Sequence, residues 1–212
     1  MKTIKYSTPK INKNPEAFFM ATTSAFAQNG FRRTTMNDIA EATDMSRPAL
    51  YLTFKNKEDL FSSTISYLVT EAVKESLKTL SQEGSIENRF LNAMLDFEQI
   101  YWGPIAKSRY ALELINSVDK LDNASEAIKL GRDKLRTAFS KALQKAVRNG
   151  EVTFVGLGIQ PAAFVGTLMS ILAAKKYRDT ANPDYTDMPH QKIRRRNSKI
   201  IKIFLQSIIV RP

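Results

Sequence analysis

The sequence predicts an all-α fold of about nine helices. Apolar residues recur at spacings of three and four through most of the chain, which is the period of a helix face. The breaks between those stretches carry helix punctuation, with cap residues or proline ahead of a stretch and glycine or proline behind it. The one β-branched run, Val152–Val155, is too short to seed a sheet. There is no internal repeat and no low-complexity tract.

Residues 1–14 carry Lys2, Lys5, Lys10 and Lys13 and no acid, and read as a basic flexible arm. Pro15 opens a helix that runs to Asn29 with Phe18, Ala21, Thr22, Ala25 and Phe26 on one face, and Gly30 ends it. Thr35, followed three residues later by Asp38, is a capping-box start. Met36, Ile39 and Ala40 then face inward. Thr43-Asp44-Met45 interrupts the pattern, and Asp44 suits the turn because aspartate tolerates the left-handed conformation. Ser46 caps the next helix, with Pro48 in its first turn, where a missing N–H costs little. Leu50 and Phe54 anchor that helix and leave Arg47, Ala49, Leu52 and Thr53 to point elsewhere. Two short helices joined by such a turn match the helix-turn-helix, whose second helix enters the DNA major groove.

Asn56 caps a longer helix with Glu58 and Asp59 in its first turn, where the helix dipole favours acids. Its apolar stripe continues to Leu80. After the polar break Ser81–Ser85, Ile86–Trp102 stacks Phe90, Met94, Phe97 and Tyr101 at helical spacing. Gly103-Pro104 is a stop and restart, giving one helix from Pro104 to Val118. A polar loop, Asp119–Asn123, leads to a long helix from about Ala124 to Asn149 with Ile128, Leu135, Phe139, Ala142 and Ala146 inward. Gly150, Gly156 and Gly158 mark a loop, and Pro161 opens a helix to about Arg178. Pro183 and Pro189 bracket another loop before the last helix, about 190–210, which carries Ile193, Ile200, Ile201, Phe204, Leu205 and Ile208.

Composition narrows the function classes. The chain has 212 residues, 43% of them hydrophobic, which suffices for one large domain or two modest ones and argues against disorder. With no cysteine there is no disulfide framework and no thiolate metal site, in keeping with a reducing cytoplasm. No apolar run reaches transmembrane length, and the basic N-terminus lacks the apolar core of a signal peptide. A soluble cytoplasmic protein is expected. The net charge of +11 attracts polyanions, nucleic acid first. A second basic excess near the C-terminus includes Arg194-Arg195-Arg196, by default a solvated helix face. His190 is the only histidine, so no triad with a histidine base can be assembled. No phosphate loop, dinucleotide fingerprint or metal-ligand cluster occurs. Neither an enzyme nor a cofactor is expected.

The stretch from Thr34 to Lys57 resembles the DNA-binding domain of the TetR family of bacterial transcriptional regulators. Thr34, Thr35, Asp38, Ile39, Ala40, Ser46, Leu50, Tyr51, Phe54, Lys57 and Leu60 stand in register with the family pattern, and Gly30-Phe31 matches its glycine-aromatic helix end. The sequence departs from it at Asp44 (usually glycine), Met45 (usually valine) and Thr53 (often histidine). The resemblance covers roughly the first third of the chain. It implies a DNA-binding domain over residues 15–60 and a larger helical domain over 61–212 that binds an effector and dimerises through the last two long helices. On that reading Thr35, Tyr51 and Lys57 contact phosphate. Ser46 starts the recognition helix, where Arg47 is placed to pair with guanine and Pro48, Ala49 or Leu52 to touch a thymine methyl.

The stripe Phe90, Met94, Phe97, Tyr101, with Trp102 and Tyr110, reads as ordinary core packing residue by residue, or together as the lining of an apolar pocket. Glu98 flanks it as a solvated or paired acid, or as a holder of a polar group. The expected effector is a small, mostly apolar organic molecule against Met94, Phe97, Tyr101, Tyr110, Phe139 and Phe164. Gly166, Ser170 and Ala174, four apart, permit close helix approach at a dimer seam or within the chain. The reading is a homodimeric, effector-responsive repressor on a pseudo-palindromic operator in double-stranded DNA. The alternative is a sequence-tolerant architectural DNA-binding protein without effector.

Overall fold

The computed structural model describes residues 14–180 and 190–210. The arm and the loop prolines Pro183 and Pro189 lie outside the described residues, as do the side chains of Ala174 and His190. The described residues form α1 (Pro15–Asn29), α2 (Met36–Ala42), α3 (Arg47–Thr53), α4 (Lys57–Leu80), α5 (Ile86–Tyr101), α6 (Gly103–Ala106), α7 (Ala111–Asp119), α8 (Asp122–Arg148), α9 (Pro161–Thr180) and α10 (His190–Gln206). The fold is all-α, as the helical spacing predicts.

The stretch expected as one helix from Pro104 to Val118 is divided into α6 and α7. Ser108 is the cause. Its hydroxyl accepts the N–H of Tyr110 at 2.9 Å and donates to the carbonyl of Ala27. A serine that bonds to nearby backbone in this way offers the chain an alternative to continued helix. Val152, from the run too short for a sheet, forms an isolated bridge with Ile209. The bond from Thr153 N–H to the Ile208 carbonyl, 2.7 Å, ties the α8–α9 loop to the end of α10.

The helices gather into two compact units. One takes Met1–Glu71 with Tyr101–Lys129, so the helix-turn-helix shares a unit with α6 and α7. Its core is aromatic: Phe18 stacks on Phe54 at 5.7 Å, Phe26 meets Phe61 edge-on at 4.8 Å, and Phe19 stacks on Tyr67 at 4.5 Å. Thr22 and Thr23, buried on the same helix, donate their hydroxyls to the carbonyls of Phe18 and Phe19, which removes the cost of burying them.

The other unit takes Ala72–Ile100 with Leu130–Pro212. Phe90 and Phe139 meet at 4.5 Å in its core, among the buried Leu135, Leu143, Leu168 and Leu205. Polar groups join α4 to α5 in this unit: Ser76 donates to the Ala93 carbonyl at 2.8 Å and Thr79 to the Asp96 carboxylate at 2.7 Å.

Gly30 shows how closely the first unit is packed. It ends α1 at φ 79°, in the region that favours glycine. A β-carbon there would lie 2.8 Å from Glu113 Oε2 and 3.1 Å from Tyr110 Cγ. Gly30→Ala is therefore expected to destabilise the protein by about 1–3 kcal/mol through backbone strain and overcrowding together. Urea unfolding followed by circular dichroism measures this.

Candidate nucleic-acid interface

The interface is built from two helix starts and the turn between them. Thr35 begins α2 as the sequence predicts: its hydroxyl accepts the Asp38 N–H at 3.2 Å, and the Asp38 carboxylate accepts the Thr35 N–H at 2.7 Å. The same hydroxyl donates to Asp38 at 2.9 Å, so its proton is already committed. After α2, Asp44 turns the chain at φ 51°, the one described non-glycine residue with positive φ. Thr43 seals the end of the helix by donating its hydroxyl to the Ile39 carbonyl at 2.7 Å.

Ser46 then caps α3, accepting the Ala49 N–H at 3.3 Å. Only Leu50 among the residues of this helix is buried, with no exposed surface, and Phe54 just beyond it is 1% exposed. Together they hold the helix down and turn Arg47, Pro48, Tyr51 and Leu52 outward. Leu52 is 89% exposed, an apolar side chain with no burial within its own chain. The Arg47 guanidinium lies 5.8 Å from the Tyr51 ring centroid, a cation on an aromatic face that leaves its donor edge outward. Ala49 and Thr53 are half-buried at the margin of this surface. One short helix thus presents a bidentate donor, a phenol and an apolar tip, the mixture needed to read base edges and hold phosphate.

Lys57, at the start of α4, is fixed from below. Its ammonium donates to the Arg32 carbonyl at 3.2 Å and lies 4.8 Å from the Phe31 ring centroid. The α1–α2 turn that supplies these partners is itself held by α7, where Glu113 accepts the Arg32 N–H at 2.7 Å. Arg33 donates to the Tyr110 hydroxyl. Sequence reasoning passed over Arg32 and Arg33. Their adjacency to Thr34 and Thr35 was the available signal, but nothing in the pattern shows that residues about 80 positions later pack on them.

The six residues expected to line an effector site are divided between the units. Tyr101 and Tyr110 belong to the unit with the helix-turn-helix, and Met94, Phe97, Phe139 and Phe164 to the other. Tyr110 is engaged with Arg33. Phe164 packs against Phe154 at 5.4 Å and Phe204 at 5.5 Å, Phe139 against Phe90, and Met94 is buried. Glu98 accepts from the side chain of Asn197, itself 2% exposed. The first unit also carries an open groove of about 490 Å³ lined by Phe31, Arg32, Leu112, Glu113, Asn116 and Lys120. Among the described residues no group of three or more histidine, cysteine or acidic side chains is placed to hold a metal, and no helix is long and apolar enough to cross a membrane.

Residues 19–64, which contain α2, the turn and α3, match the sequence profile described as bacterial regulatory proteins, tetR family. This stretch of the chain is similar to the TetR family. The HTH-type transcriptional repressor ComR of Escherichia coli K12 is 36% identical over 64 residues, which is 30% of this chain and 30% of that repressor. The match therefore spans less than a third of the curated relative's length. The TetR-family fold extends well past it. SmeT, the repressor of the Stenotrophomonas maltophilia multidrug efflux pump SmeDEF, superposes with a TM-score of 0.65 at 16% identity, covering 94% of this chain and 92% of SmeT. FadR from Bacillus subtilis, solved with stearoyl-CoA, gives 0.65 at 12% identity over 91% of this chain and 98% of FadR.

Asp44 takes the position where TetR-family sequences usually have glycine, in a conformation that costs an ordinary residue about 1–2 kcal/mol. Asp44→Gly is expected to raise thermal stability by a few tenths of a kcal/mol to about 1 kcal/mol, since relief of that strain outweighs the added freedom of the unfolded chain. Differential scanning calorimetry is the check, and a lower melting temperature would show that Asp44 is not strained.

Proposed function

We propose that this chain is a homodimeric transcriptional repressor that binds a pseudo-palindromic operator in double-stranded DNA and leaves it when a small organic effector binds. The observation that carries the DNA-binding part is the outward face of α3. Leu50 and Phe54 take the buried side and leave Arg47, Pro48, Tyr51 and Leu52 to solvent. A major groove edge offers guanine acceptors to the exposed arginine and thymine methyls to the exposed leucine beside it. In this reading Thr35, Ser46 and Lys57 fix the register on phosphate, and Arg47 with Pro48, Ala49 and Leu52 reads bases.

The dimer is supported by the outer sides of the last two helices. Along α9, Ala162, Ala163, Thr167, Ser170 and Ile171 are exposed and Gly166 is half-buried, and α10 exposes Ile203. Small and apolar residues left open on a helix face are what a second copy covers at close range. The effector is supported by the bulk of apolar and aromatic residues in and around α5, α8 and α9. It is also supported by the relatives: SmeT is solved as a complex with triclosan, and FadR with stearoyl-CoA. The residues proposed for it within one unit are Met94, Phe97, Phe139 and Phe164. Effector and operator oppose each other when each prefers a different conformation of the dimer, and the coupling is reciprocal.

Selection of binding sites from random duplexes tests the DNA reading. Arg47→Ala is expected to relax the preference for one guanine position and cost about 1–3 kcal/mol at it. Lys57→Ala weakens binding to every sequence alike. An unselective wild type would point to an architectural DNA-binding protein.

For the dimer, sedimentation at micromolar concentration is expected to give twice the chain mass, and Ser170→Phe to shift the protein toward monomer by about 1–3 kcal/mol of overpacking. A fully dimeric Ser170→Phe would place the seam elsewhere.

A further inference from the structure

We propose that Arg33, in the turn before α2, and Arg109, in the turn between α6 and α7, form a second phosphate-contact site that carries the DNA footprint beyond the helix-turn-helix. This rests on the DNA-binding reading above. The two guanidinium carbons lie 4.7 Å and 4.9 Å from the centroid of one ring, that of Tyr110. Arg33 also donates to the Tyr110 hydroxyl. Stacking on an aromatic face orients a guanidinium without using up its in-plane donors, and both arginines are exposed.

Neither arginine is ion-paired among the described residues. The acid that α7 brings to this cluster, Glu113, accepts the Arg32 N–H at 2.7 Å and keeps its charge, one anion against the two guanidinium groups on the Tyr110 ring. Two like charges sharing one ring are within about a Debye length of each other at physiological salt, so they repel until a further anion is placed against them. Their position says which anion. The Arg32 carbonyl, next to Arg33 in the chain, accepts the Lys57 ammonium at 3.2 Å, so the arginine pair adjoins the lysine assigned to the phosphate backbone. Thr34 and Thr35 continue from Arg33 into the start of α2. A strand of phosphates that meets Lys57 and Thr35 runs along the turn bearing Arg33, and Arg109 extends that track from a segment that no helix-turn-helix pattern includes.

Each neutralised phosphate contributes about 0.9 to the slope of log affinity against log salt. The test measures that slope for the full chain on a random-sequence duplex and on the duplex recovered by binding-site selection. Arg109→Gln and Arg33→Gln are each expected to lower the slope by about one and to weaken binding several-fold to both duplexes alike. Arg109→Lys retains the slope. Lys141→Gln, an exposed charge on α8, leaves it unchanged. Arg109→Gln removes no hydrogen bond among the described residues, so it tests the proposal even if Arg33→Gln loosens the Tyr110 contact. If the wild type binds with a steep slope and Arg109→Gln keeps that slope, the arginine site is wrong while the DNA-binding reading stands. Affinity of the pair for inorganic phosphate, with an unchanged DNA slope, overturns it equally. If the wild type binds neither duplex, the DNA-binding reading fails first and this inference with it.

Discussion

The unit that carries the interface depends on how α3 is pinned. A helix of seven residues has almost no stability of its own, because nucleation is unfavourable and few bonds follow it. Its position is set by Leu50 and Phe54. Phe54 stacks on Phe18 at an interplanar angle of 5°, and Phe18 belongs to the aromatic cluster that α1 brings to this core. Caps at Thr35 and Ser46 set where α2 and α3 begin, and the Phe18–Phe54 contact sets where α3 ends. Between them they leave little freedom for the residues that face outward.

The second constraint acts on the turn before α2. Gly30, Arg32 and Arg33 are all met by two side chains from α7 and its start, Glu113 and Tyr110: the carboxylate and ring crowd Gly30, the Glu113 carboxylate accepts the Arg32 amide, and the Tyr110 hydroxyl accepts from Arg33. A loop of this kind usually moves freely at the surface. Here it is held on one side by α7 and on the other by Lys57. The first unit is therefore more than a helix-turn-helix with a supporting helix. It includes a later segment of chain that touches the residues just ahead of the interface.

Much of this could be read from the residues alone. The capping box at Thr35 and Asp38, the turn aspartate, the Ser46 cap and the anchors Leu50 and Phe54 follow from local rules, and each is present in the structure. Local rules suffice because caps and turns involve residues three or four apart. What escaped the sequence depends on long-range contacts. The division at Ser108 arises because its hydroxyl reaches Ala27, a partner no periodicity reveals. Tyr110 falls at a spacing that suits an apolar stripe, yet its ring and hydroxyl meet Arg33, 77 positions earlier in the chain. An aromatic residue reads the same from sequence whether it faces a leucine or a guanidinium, so its chemistry stays hidden until the fold supplies the neighbours.

The hydrogen bond from Lys57 to the Arg32 carbonyl has a consequence for the thermodynamics of contact. A free lysine loses up to about 2 kcal/mol of rotamer entropy when its side chain is ordered. Lys57 has given up part of that freedom already, because its ammonium is held between a carbonyl and the Phe31 ring. One of its three N–H groups is used, and two remain to donate with the charge intact. An anion meeting this lysine finds a donor that has little further disorder to lose, so the ordering cost falls on folding and not on recognition. A solvated lysine on the same surface would give the same charge and the same counterion release, but would have to be stilled at each encounter.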